Sequence, residues 1–65
     1  MSDFTEEDAI TAVRMIADGA TWCEVVDKLY PDAEYKDLLT ELTRERTKWW
    51  YRDQSEERIA EVLGE

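Results

Sequence analysis

Helix-start and helix-stop signals recur so closely along this chain that only short helices, with brief links, fit between them. Thr5-Glu6-Glu7-Asp8 is the first start. Thr5 can accept from the amide of Asp8, and the acids stand where a helix N-terminus favours negative charge. Ala9, Ile10, Val13, Ile16 and Ala17 then recur at spacings of three and four, which puts them on one helix face. Gly19 stops that helix, because glycine tolerates the left-handed conformation that ends many helices. Thr21-Trp22-Cys23-Glu24 is a second capping box, followed by Trp22, Val25, Val26 and Leu29 at i, i+3, i+4 and i+7. Pro31 disfavours a helical Tyr30, and Asp32 is the expected cap of the next helix.

The third helix is the long one, expected at about 33–53 and roughly 30 Å in length. Tyr35, Leu38, Leu39, Leu42 and Trp49 fall within one narrow sector of it and are its expected core face. Ser55-Glu56-Glu57 opens a fourth helix with Ile59, Val62 and Leu63 on its apolar edge, and Gly64 closes it. No segment shows the period-two alternation of a half-buried strand. The expected fold is an all-α, compact single domain over 1–65, with helices at about 5–18, 21–30, 33–53 and 55–63.

At 65 residues the chain lies near the lower limit for burying a core without staples. Cys23 is alone and there is no histidine, so neither an intrachain disulfide nor an ordinary structural zinc site can form. Stability has to come from apolar packing, from caps, or from self-association, and a homodimer is one way to supply it. The lone thiol, the absence of a charged-then-apolar leader and the lack of any apolar run near ~20 residues point to a cytoplasmic protein without a membrane partner.

Charge is distributed unevenly. Residues 1–43 carry eleven acids and three bases, 44–52 one acid and four bases, and 53–65 five acids and one base, for a net charge of −9. The central block, Arg44-Glu45-Arg46-Thr47-Lys48-Trp49-Trp50-Tyr51-Arg52, is therefore a basic, aromatic island in an acidic chain. Helical geometry divides it. Trp49 lies on the stripe with Leu38 and Leu42 and is expected in the core, with Arg46 stacked on a tryptophan. Trp50 borders the stripe and is either covered by the fourth helix or left for a partner. Tyr51 projects away with Arg44 and Lys48, and Arg52 lies between that group and Trp49. Glu41–Arg44, Glu45–Lys48 and Arg52–Glu56 are spaced to pair. Trp22 is expected in the core. Cys23, between acidic neighbours, is expected to be inert.

The stretch from Met15 to Asp32, with Gly19, Thr21, Glu24, Val25 and Leu29 at their places, resembles the middle of homeodomain-like and resolvase-type helix-turn-helix domains. The likeness extends over 9–50, about two thirds of the chain. It implies a three-helix, helix-turn-helix-like core, and it implies that the third helix is the DNA-reading one. Tyr35 and Lys36 would then be nearest the bases, with Lys36, Arg44, Lys48 and Arg52 on phosphates. The chain departs from the pattern at Tyr30-Pro31, where the family has a glycine and a small apolar residue. It also places Asp32, Glu34 and Asp37 where a negatively charged groove would meet them.

Two functional readings stay open. One is a small regulatory or accessory protein of the kind phage, viruses and plasmids encode, binding nucleic acid and acting in transcription regulation. The other is an acidic protein–protein interaction module, such as an inhibitor of a host protein or a DNA mimic. The acidity also suits a high-salt host, where charge repulsion is screened within ~3 Å. The candidate contact residues are Tyr35, Lys36, Arg44, Lys48, Trp50, Tyr51 and Arg52. No catalytic, cofactor-binding or metal-ligating set is expected: Cys23 has no base beside it, and two isolated glycines make no phosphate loop. A domain this small is also expected to have little room for a concavity of ~300 Å³.

Overall fold

The computed structural model describes residues 4–64, and among these the chain is all-helical. The order is α1 (Glu6–Ala17), α2 (Trp22–Leu29), α3 (Lys36–Arg52) and α4 (Glu56–Val62). Local chemistry fixes three of the four starts. Thr5 Oγ1 accepts from the Asp8 amide while the Asp8 carboxylate accepts from the Thr5 amide, both at 3.2 Å. The same box recurs at α2, where Thr21 Oγ1 accepts from the Glu24 amide at 3.2 Å and Glu24 Oε1 accepts from the Thr21 amide at 2.8 Å. Ser55 Oγ caps α4 by accepting from the Arg58 amide at 3.1 Å. At the end of α1, Gly19 takes φ +101°, and the Gly19 and Ala20 amides donate to the carbonyls of Ile16 and Met15. That pair of bonds satisfies carbonyls the helix would otherwise leave open.

The start of α3 differs from expectation. Asp32 does not cap it; the helix begins at Lys36, three residues later than the predicted start, with Tyr35 in the cap position and no side-chain cap bond. The reason lies in the link. The Ala33 amide donates to the Tyr30 carbonyl at 3.1 Å, closing a tight turn around Pro31 and Asp32 that does not propagate into helix. Lys36 then ties the first turn of α3 back to α2 through an ion pair with Asp27.

α3 packs across α2 and α1, and α4 folds back onto α1. The molecule measures only 36 × 21 × 15 Å, and so thin a body encloses few large side chains. Its fully covered interior is Ala9 and Ala12 of α1, Val25 and Val26 of α2, Val62 of α4, and Thr43 and Thr47 of α3. Among the described residues no fully buried side chain is larger than valine.

The ion pairs expected on α3 do not form. Among the described residues the pairs are Lys36–Asp27, Arg58–Glu6 at 2.9 Å and Arg58–Glu61 at 3.3 Å. Arg58 thereby joins α4 to the first turn of α1. Both pairs are exposed, so they orient α4 more than they stabilise it.

Candidate functional site

The orientation of α3 determines what this molecule shows to a partner. Thr43 and Thr47 are covered, with Leu39 and Trp50 half-buried in the same sector. The expected core stripe faces water instead. Tyr35 is 74% exposed, Leu38 61%, Leu42 42% and Trp49 61%, while Leu39 alone of that set turns inward. Relative to the sequence expectation the helix is rotated by about one residue, or roughly 100°. Small, β-branched threonines at the crossing let α3 approach the alanines of α1 and the valines of α2 closely. Leucine or tryptophan there would hold the helices apart.

This rotation exchanges the roles of the two adjacent tryptophans. Trp50, the candidate partner contact, is half-buried, and its carbonyl accepts from Gln54 Nε2 at 3.1 Å. Trp49, the expected core residue, is the exposed indole. The cation stacked on it is Arg52, at 5.2 Å from the ring centroid, and not Arg46. Arg46 acts elsewhere: its charge opposes the rise in the Tyr30 hydroxyl pKa that burial and nearby Asp8 produce.

The remaining candidates separate by position. Lys36 is engaged with Asp27 and Tyr35 stands free at the helix start. Arg44, Lys48, Tyr51 and Arg52 come together on one flank of α3, where with Thr47 they form one wall of a cleft of about 470 Å³. Its other wall and floor are Val13, Ile16 and Ala17 of α1, Trp22 at the start of α2, and Leu63 after α4. Sequence reasoning missed this concavity. The available signal was the threonine series Thr40, Thr43 and Thr47, whose spacing marks a small-residue face on α3.

The cleft is apolar below and cationic above. No carboxylate of the described residues lies within 4 Å of the charged groups of Arg44, Lys48 or Arg52. Thr47 adds an unusual feature at its edge. It is only 3% exposed, and its Oγ1 has no hydrogen-bond partner. About two turns earlier in the same helix, Thr40 Oγ1 donates to the Lys36 carbonyl at 2.6 Å, so the orphaned hydroxyl is particular to position 47. Among the described residues no three histidine, cysteine, aspartate or glutamate side chains gather as metal ligands would, and no helix is long and apolar enough to cross a membrane.

Searches of protein-family models, curated proteins and solved structures return no match to this chain. Any functional reading therefore has to rest on the surfaces themselves.

Proposed function

We propose that this chain is a non-enzymatic docking module whose α1–α3 cleft receives an apolar, acidic segment of another protein. The observation that carries the reading is the cleft itself: a floor of Val13, Ile16 and Leu63 beneath a rim of Arg44, Lys48 and Arg52, in a chain of net charge −9. An apolar floor rewards inserted side chains, and the unpaired cations select for acids beside them. Trp22 and Tyr51 add the residue types that concentrate binding energy at such contacts.

The nucleic-acid reading draws on the same cations but is supported less well. A helix-turn-helix protein presents the N-terminal turns of its third helix to the bases. Here those turns carry Asp37 and Glu41 with Leu38 and Leu42, and Lys36 is already paired. Three rim cations on phosphates would give a salt slope of only about −2.7.

A fluorescence-anisotropy comparison tests the proposal. Labelled amphipathic peptides bearing leucine and glutamate are titrated beside a random DNA duplex at low salt. Peptide binding that is lost in Lys48→Glu and in Leu63→Asp supports the cleft. Duplex binding with a salt slope near that value, and no peptide binding, replaces it with the nucleic-acid reading.

A further inference from the structure

The exposed apolar stripe of α3 is a second surface, adjoining the cleft at Arg52, and its pattern specifies its occupant. Leu38, Leu42 and Trp49 fall at d, a and a positions of a heptad along α3, with Tyr35 at the cap in register with the preceding a position and Glu45 and Arg52 at the other d positions. A heptad seam on an unpartnered helix is the arrangement helices use to pair with other helices. We propose that this seam pairs with the same seam of a second copy of the chain, the two α3 helices running antiparallel. The proposal does not rest on the cleft reading, because Tyr35, Leu38, Leu42 and Trp49 line no part of the cleft; Lys48 and Arg52 border both surfaces.

Charge identifies a second copy as the partner and fixes the direction. The first half of α3 and the residues leading into it carry Glu34, Asp37 and Glu41 against one base, Lys36, which is paired with Asp27; the second half carries Arg44, Arg46, Lys48 and Arg52 against one acid, Glu45. An antiparallel partner lays each half over its opposite. With the two-fold axis between Thr43 and Arg44, near the middle of the helix, Leu38 meets the partner's Trp49, and Tyr35 meets the partner's Arg52. Glu41 flanks the seam opposite the partner's Lys48, and symmetry forms that pair twice. A parallel pair would instead set Glu45 against Glu45 and Arg52 against Arg52 inside the seam.

The exposed area is sufficient for a modest interface. Aromatic side chains present about 150–250 Å² each, so at the exposures observed the four apolar residues offer roughly 450 Å² per molecule. With the flanking charged stems, two copies reach the ~1,200 Å² at which specific interfaces begin. An interface of that size lies at the weak, transient end of specific interfaces.

Sedimentation equilibrium from about 5 to 500 µM, in reductant because Cys23 is exposed, is the test. The wild-type chain should pass from monomer to dimer across that range, and Leu38→Glu and Trp49→Ala should remain monomeric with unchanged helical circular dichroism. Glu41→Lys and Lys48→Glu should each weaken the dimer about tenfold. The double variant Glu41→Lys/Lys48→Glu, which keeps the net charge of −9, should restore it. A wild-type monomer at the highest concentration overturns the proposal, as does a dimer indifferent to Leu38→Glu. So does a double variant weaker than either single one, which is the outcome a parallel pair would give, because each reversed charge would then meet a like charge at Arg46 or Asp53.

Discussion

Replacing Thr47 by valine should make this protein more stable, the reverse of what most buried substitutions do. Thr47 is 3% exposed, and its hydroxyl has neither a protein partner nor contact with water. A buried hydroxyl without a hydrogen bond costs about 1–3 kcal/mol. Valine has nearly the same shape, exchanges that hydroxyl for a buried methyl and has a helix propensity close to that of threonine. Reorganisation around the added methyl offsets part of the gain, so the net expectation is about 1–2 kcal/mol. A domain of this size unfolds with an entropy of roughly 0.14 kcal/mol per kelvin, and each kcal/mol therefore moves the midpoint by about 7 °C. Thr47→Ser is the control. It keeps the hydroxyl and removes the methyl, and should lose about 1 kcal/mol or more through the transfer and cavity contributions. Thermal unfolding followed by far-UV circular dichroism, at a concentration where any dimer is dissociated, reads both. The order Val above Thr above Ser is expected. A valine variant less stable than the wild type would refute the reasoning, because it would show that the hydroxyl makes a bond and holds α3 in place.

Three further substitutions probe the core and its ionisation. Val25 is fully buried and Trp49 is 61% exposed, so Val25→Ala should cost about 2 kcal/mol, while Trp49→Ala in the dilute monomer should cost under about 1 kcal/mol; urea midpoints in the reverse order would contradict the orientation of α3. Burial first and Asp8 second raise the Tyr30 hydroxyl above its ordinary value near 10, with Arg46 opposing them. A pKa raised by folding gives stability that is full below pH ~10 and is lost as pH climbs through the folded value. Tyr30→Phe should therefore lose less stability than the wild type between about pH 9 and 11; parallel declines would remove Tyr30 as the source.

The parts of this fold that the sequence made legible are those set by neighbours in the chain. Thr5 with Asp8, Thr21 with Glu24, Ser55 and Gly19 act within four residues of one another, so their geometry follows from their spacing. The burial of Val25 and Val26 was legible too, since α2 offers one apolar face. α3 offers two. One is the larger and more apolar, Tyr35, Leu38, Leu42 and Trp49; the other is Leu39, Thr43, Thr47 and Trp50. Counting apolar residues selects the first, whereas packing against Ala9, Ala12, Val25 and Val26 selects the second, and that choice depends on α1 and α2. The grouping of Arg44, Lys48 and Tyr51 on one flank survived the rotation because their relative angles belong to the helix alone. What lies against them, an apolar cleft, could not be read from one helix.

The same rotation accounts for both surfaces. Turning the threonines inward lets three helices meet at close range around a core of alanine and valine, and it places Thr47, with its short side chain, at the edge of α1, where the cleft opens. It also carries Leu38, Leu42 and Trp49 to the outside. A monomer gains little from leaving those three in water, and a chain selected only for its own stability would carry polar residues there. Their heptad spacing, on a helix whose two halves carry opposite charge, supports the proposed pairing with another helix. Arg52 stands where the two surfaces adjoin, stacked on Trp49 from one flank and lining the cleft from the other. If α3 pairs as proposed, drawing Arg52 toward the partner's Tyr35 withdraws a cation from the cleft rim, and an acidic segment in the cleft is then expected to shift the sedimentation equilibrium toward monomer. A dimer unchanged by a cleft peptide would show that Arg52 does not link the two surfaces.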